Sequence, residues 1–81
     1  MMKLNGLNTR QLRKYLNEMA KTKSMSCSCS QKIDYLYEKY ISFDAYITAL
    51  MFNDIITFDE YLKISNAGFK LWMKIEGELR W

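Results

Sequence analysis

The chain has 81 residues, a net charge of +3, two cysteines, three glycines, no proline and no histidine. That length makes one domain with a modest core, and an apolar content of 49% supplies the core without covalent staples. The missing histidine removes the commonest general base and metal ligand at neutral pH. No apolar run approaches the roughly 20 residues that span a bilayer, and the opening Met-Met-Lys-Leu-Asn-Gly lacks the apolar centre of a signal peptide, so a cytoplasmic protein that does not enter membranes is expected.

Charge is unevenly distributed. Residues 1–32 carry seven bases against one acid, Glu18, whereas residues 33–81 carry five bases against eight acids. Such asymmetry points the first third of the chain at something acidic.

The first helix is expected over residues 8–23. Asn8 is a good N-cap, Gln11 stands at the capping-box position, and Leu7 can staple onto Leu12. Leu12, Tyr15, Leu16 and Met19 recur at helical spacing and form the buried face, with Ala20 at its edge. Arg10, Arg13, Lys14, Asn17 and Lys21 fall on the opposite face. The plain reading of that face is a solvated surface. The sharper one is a helix that meets phosphate or an acidic protein, because clustered Lys and Arg supply most non-specific nucleic-acid affinity.

Thr22 to Ser30, TKSMSCSCS, is rich in small polar residues and reads as a flexible loop over 22–30. It holds Cys27 and Cys29. One pair of thiols without histidine does not fill a tetrahedral zinc site, although two chains could pool four thiolates. A disulfide across a single residue would be strained. Two reduced thiols are the expected state in a cytosolic protein, and no cofactor or metal site is expected.

A second helix is expected over residues 31–40, capped by Ser30 or Cys29. Ile33, Leu36, Tyr37 and Tyr40 share one face. Tyr35 points the other way, between Asp34 and Glu38, and is a candidate interface aromatic; the plainer reading is a partly covered surface side chain.

The stretch Ile41 to Leu62 contains a short repeat. Ile41-Ser42-Phe43-Asp44-Ala45-Tyr46-Ile47 returns fifteen positions later as Ile56-Thr57-Phe58-Asp59-Glu60-Tyr61-Leu62. Each copy reads as a helix start: Ser42 and Thr57 as N-caps, an isoleucine before the cap and a tyrosine five residues later as a hydrophobic staple, and an aspartate in the first turn facing the helix dipole. Glu60 completes a capping box with Thr57. The pattern predicts a helix over 43–52, a corner at Asn53-Asp54-Ile55 and a helix over 57–80. Phe43, Tyr46, Ile47, Leu50 and Met51 form one face of the 43–52 helix, and Ala45, Ala49 and Phe52 lie on the other. A short helix apolar nearly all round is normally buried.

The last segment has two apolar stripes. One runs through Phe58, Tyr61, Leu62, Ser65, Phe69, Trp72 and Met73. The other runs through Ile64, Gly68, Leu71, Ile75 and Leu79. Gly68 is a potential stop, but with no proline beyond it one long helix is preferred. Trp81 is expected to tuck back onto the core.

The fold class is therefore all-α, a single domain over 1–81 built as a bundle of about four helices (8–23, 31–40, 43–52 and 57–80) with the third buried centrally. Catalytic chemistry is not expected. The cysteines lack an imidazole partner, and Asp44, Asp59 and Glu60 are explained by capping. No phosphate loop or EF-hand spacing occurs. A helix-turn-helix across 43–65 has the right length, but its second helix would aim Asp59 and Glu60 at DNA, where base-reading helices present Arg, Lys, Asn or Gln.

The segment Leu50-Met51-Phe52-Asn53-Asp54-Ile55-Ile56-Thr57-Phe58-Asp59-Glu60-Tyr61 resembles the helical corner of short SHOCT-like bacterial and phage segments, with Asn53-Asp54 in place of the usual glycine. In size, in composition rich in Lys, Ile, Asn and Tyr, and in the absence of catalytic motifs, the whole chain resembles the small single-domain proteins of phages and mobile elements, among them anti-CRISPR proteins. That resemblance implies a non-enzymatic protein-binding module, a stoichiometric inhibitor or regulator of host machinery. The expected contact residues are Arg10, Arg13, Lys14, Asn17, Lys21 and Tyr35. The expected partner is a host protein or ribonucleoprotein with an acidic surface, with nucleic acid as the alternative and a second copy of the chain as a further candidate.

Overall fold

Three α-helices account for almost all of the computed structural model, which describes residues 6–80 apart from the Leu7 side chain. They are α1 (Gly6–Lys21), α2 (Cys29–Phe52) and α3 (Phe58–Arg80), with a 3-10 turn at Thr22–Ser24 between the first two. No strand occurs among the described residues. The helices alternate in direction. Asn8 meets Tyr46 and Glu18 meets Lys39, so α1 and α2 run oppositely. Cys29 meets Leu79 and Tyr40 meets Phe69, so α2 and α3 do too.

The helix count corrects the expectation of four. Residues 31–40 and 43–52 belong to one helix, and Ser42 caps nothing. Its hydroxyl donates to the Glu38 carbonyl one turn back, at 3.1 Å, as Thr48 donates to Asp44 at 2.8 Å. Mid-helix Ser and Thr satisfy themselves in this way. With neither Gly nor Pro between Cys29 and Phe52, nothing breaks the backbone ladder, and the first copy of the repeat lies inside a helix.

The second copy does start a helix. Glu60 N–H donates to Thr57 Oγ1 at 3.1 Å, and Thr57 N–H donates to Glu60 Oε1 at 2.8 Å, the reciprocal pair of a capping box. What differs is the residue pair before it. Asp54 has φ 58°, in the left-handed region that Asp tolerates better than most residues. Its N–H donates to the Met51 carbonyl (3.1 Å), and Ile55 N–H donates to the Leu50 carbonyl (2.9 Å). Those two bonds make a Schellman motif, which closes α2 and turns the chain into α3.

The other boundaries shift slightly. Helix α1 begins at Gly6, so Asn8 lies within its first turn, where its amide donates to the Tyr46 hydroxyl at 2.9 Å. The expected Leu7 staple and the position of Trp81 fall outside the described residues. Helix α1 ends at Lys21, and the 3-10 turn occupies part of the expected 22–30 loop. Thr22 is buried there, its hydroxyl donating to the Glu18 carbonyl at 3.3 Å. Helix α2 is capped by Ser28, ahead of the expected Cys29 or Ser30, in a capping box with Gln31.

Met19, Leu36 and Ile75 meet at the centre, one from each helix, with Leu16, Tyr40, Leu71, Trp72 and Leu79 around them. Phe43, Ile47, Leu50 and Ile56 extend the core towards the α2–α3 corner. The expected all-round burial of 43–52 is not found. Phe43, Ile47 and Leu50 face inward, but Ala45, Ala49 and Phe52 are exposed, Phe52 at 76%. Helices α1 and α3 cover only one side of α2. Helix α3 runs unbroken through Gly68, which is buried beneath the Phe43 ring, where a Cβ would intrude. Of its two stripes, Gly68 and Ile75 of the second are buried, with Ile64, Leu71 and Leu79 half-buried, while Phe58, Leu62, Phe69 and Met73 of the first stay exposed. Tyr37, expected on the buried face of its helix, is exposed as well.

Candidate interaction surface

Helix α1 buries Met19 and half-buries Leu12, Tyr15 and Leu16, which turns its polar side outward. Arg10, Arg13, Lys14, Asn17 and Lys21 are all exposed and line one shallow groove along the helix, joined by Glu18 at its edge. The spacing explains the grouping: residues three and four apart on a helix are surface neighbours. Among the described residues the ion pairs are Lys23–Glu78, Lys39–Glu18 and Arg80–Glu76. None of them uses Arg10, Arg13, Lys14 or Lys21. Their charge therefore faces solvent without an acidic partner within the described fold.

Tyr35 lies on α2, outside the groove itself, and is linked to the Glu18 edge of this surface through Lys39. Lys39, one turn along α2, holds its Nζ 5.0 Å from the centre of the Tyr35 ring, within cation–π range. The same ammonium lies 3.3 Å from Glu18 Oε2. Burial pulls the Lys39 ammonium down, but its hydrogen bond and charge contact with Glu18, helped by Tyr35 and Glu38, outweigh that and leave its pKa above the ordinary 10.5. Tyr35, Lys39 and Glu18 thus form a bridge between α2 and the basic groove. Tyr35 is half-buried, as the plainer sequence reading had it.

Sequence reasoning missed Lys39. The spacing from Tyr35 to Lys39 was visible, but its pairing with Glu18 depends on how α1 lies against α2. On the other side of the same contact, Tyr15 and Tyr46 pack with ring centres 5.7 Å apart. These contacts fix the angle at which α1 shows its basic side.

Elsewhere the chemistry is sparse. Cys27 and Cys29 are free thiols, and the Cys29 thiol donates to the Leu79 carbonyl. Among the described residues no group of three or more His, Cys, Asp or Glu is placed to hold a metal, and no helix is long and apolar enough to cross a membrane. The corner between α2 and α3 presents Phe58 and Asp59 to solvent. No family model, curated protein or solved structure matches the chain.

Proposed function

We propose that this chain is a non-enzymatic, stoichiometric protein-binding module that engages an acidic surface through the outer face of α1. The observation that carries the reading is the row of exposed cations Arg10, Arg13, Lys14 and Lys21, held on one helix face and unpaired within the described residues. Cations left without local partners are available to an incoming acidic surface, where complementary charge raises association rate and selects the partner. Asn17 within the groove and Tyr35, linked to its Glu18 edge through Lys39, add hydrogen bonding and aromatic area. The resemblance to small phage and mobile-element proteins suggests a host protein or ribonucleoprotein as target, and an anti-CRISPR-like or other inhibitory role.

The same face would serve a nucleic-acid-binding regulator, and salt separates the two in part. Phosphate binding weakens linearly in log affinity with log salt. Capture of partners from a low-GC bacterial host, with and without nuclease, tests the proposal. A protein recovered at a fixed ratio after nuclease treatment and moderate salt supports it, provided the double reversal R13E/K14E abolishes recovery. That variant should keep the wild-type melting temperature to within a few degrees, since both side chains are exposed and surface substitutions usually change stability by about 0.5 kcal/mol or less. Undiminished capture by the double variant would remove the basic face from the function.

A further inference from the structure

Of the seven large apolar residues that the helices leave exposed, six are concentrated on one side, and the seventh, Phe52, ends α2 at the corner. Helix α3 carries Phe58, Leu62, Phe69 and Met73 at spacings of four, seven and four, a single stripe on a helix. Helix α2 carries Tyr37 and Ile41 one turn apart. Each of the six is between 42% and 60% exposed. The Tyr40 ring joins the two stripes, packing on Phe69 with centres 6.4 Å apart and stacking on Trp72 at 5.6 Å. Helix α1 lies on the other flank of α2, where Lys39 and Tyr46 meet Glu18 and Tyr15. The six therefore border one seam, between α2 and α3, on the side that α1 does not cover.

We propose that this face is a self-association surface, and that two copies close over it into an antiparallel four-helix core. Area is the first argument. Six side chains of this size at about half exposure present roughly 600 Å², and with the recessed residues between them they approach the roughly 800 Å² that each partner contributes to a standard interface. Character is the second. None of the six is charged, and homodimer interfaces are the more apolar class. A pair of helices with one uncovered apolar side is also half of a four-helix bundle.

Charge at the rim selects a second copy and sets its orientation. The residues bordering the α2 stripe are acidic, Asp34 and Glu38. Those bordering the α3 stripe are basic along most of its length, Lys63, Lys70 and Lys74, with the acid Asp59 beside Phe58 at the corner end. All six are exposed. A two-fold axis parallel to the helices lays α2 of one copy over α3 of the other, so each acidic rim meets a basic rim. The perpendicular two-fold would set like charges together. Cys29 lies beside Leu79 and Tyr40 beside Phe69, so Glu38 stands level with Lys70, and Asp34 with Lys74, in the hairpin. The parallel two-fold, which preserves height, brings Glu38 of one copy next to Lys70 of the other, twice per dimer.

Sedimentation equilibrium of the full chain tests this without any target protein. The expected mass is twice the 9.7 kDa of one chain at concentrations up to about 0.5 mM, a range that detects dissociation constants into the millimolar region. The substitutions F69K/M73K should give a monomer of unchanged helicity. Either reversal alone, E38K or K70E, should raise the dissociation constant about 2- to 30-fold, since the pair occurs twice and exposed pairs are individually weak, and E38K/K70E together should restore it. A wild-type monomer throughout that range overturns the proposal, as does a dimer untouched by F69K/M73K. Single reversals without effect overturn the pairing of α2 with α3, and they decide the matter even if F69K/M73K fails to fold.

Discussion

Two residues shape the bundle through backbone space alone. Asp54 occupies the left-handed position of the motif that ends α2, a place where glycine is the least strained residue. Asp54→Gly should therefore raise stability by up to about 1 kcal/mol, read as a higher melting temperature; a lower one would mean that the Asp54 side chain contributes something the Schellman geometry does not explain. Gly68 is the opposite case. Gly68→Ala adds about 1 kcal/mol of helix propensity, but its Cβ would intrude on the buried Phe43 ring. Overpacking costs about 1–3 kcal/mol, so the variant should on balance lose up to about 2 kcal/mol in denaturant unfolding. A gain would show that Phe43 can swing aside freely.

At the scale of elements, the continuity of α2 is the sharpest issue. Ser42→Pro discriminates between two helices and one. At the cap of a separate helix proline would be tolerated. In the interior it removes a backbone bond, clashes one turn back and costs about 3 kcal/mol or more. The continuous α2 requires the large loss, measurable as reduced helicity and a much lower melting temperature. The sequence made much of this level legible. The Thr57–Glu60 capping box, the corner at 53–55, the unbroken α3 and the cationic side of α1 all follow from spacing. Ser42 misled because a Ser-Phe-Asp start and a helix interior share the same local letters; only the turn-forming Asn53-Asp54, absent before the first copy, tells them apart. The exposure of Tyr37, Phe69 and Met73 was not legible, because periodicity places residues on a face without saying how many neighbours exist to cover it. Tyr35 was read correctly as a partly covered side chain, but its link to α1 runs through Lys39 and Glu18, a tertiary contact without a local signature.

For the whole molecule, extents of 41 × 20 × 15 Å describe a thin body whose ionisable groups mostly face water. Two that are partly covered are tied to the packing. Burial, with the nearby Asp44 charge and Tyr61, raises the Tyr40 hydroxyl above its ordinary 10.0, and Lys39 is raised above 10.5. Both groups hold their protons more tightly when folded, so the stability they contribute is complete below about pH 10 and falls as pH rises through the folded values. Melting temperature should accordingly decline above pH 10, and Tyr40→Phe should make that decline shallower. An equal slope in the variant would assign the alkaline loss to other groups. The five-residue corner between α2 and α3 has a bearing on how the molecule assembles. Closing so short a loop costs little chain entropy, and the first contact it brings together, Leu50 with Ile56, is close in sequence. Such local contacts form early and fast. The α2–α3 hairpin can zip from its corner towards Cys29 and Leu79, and α1 then has a finished groove to dock into, with Met19 arriving last to seal the centre.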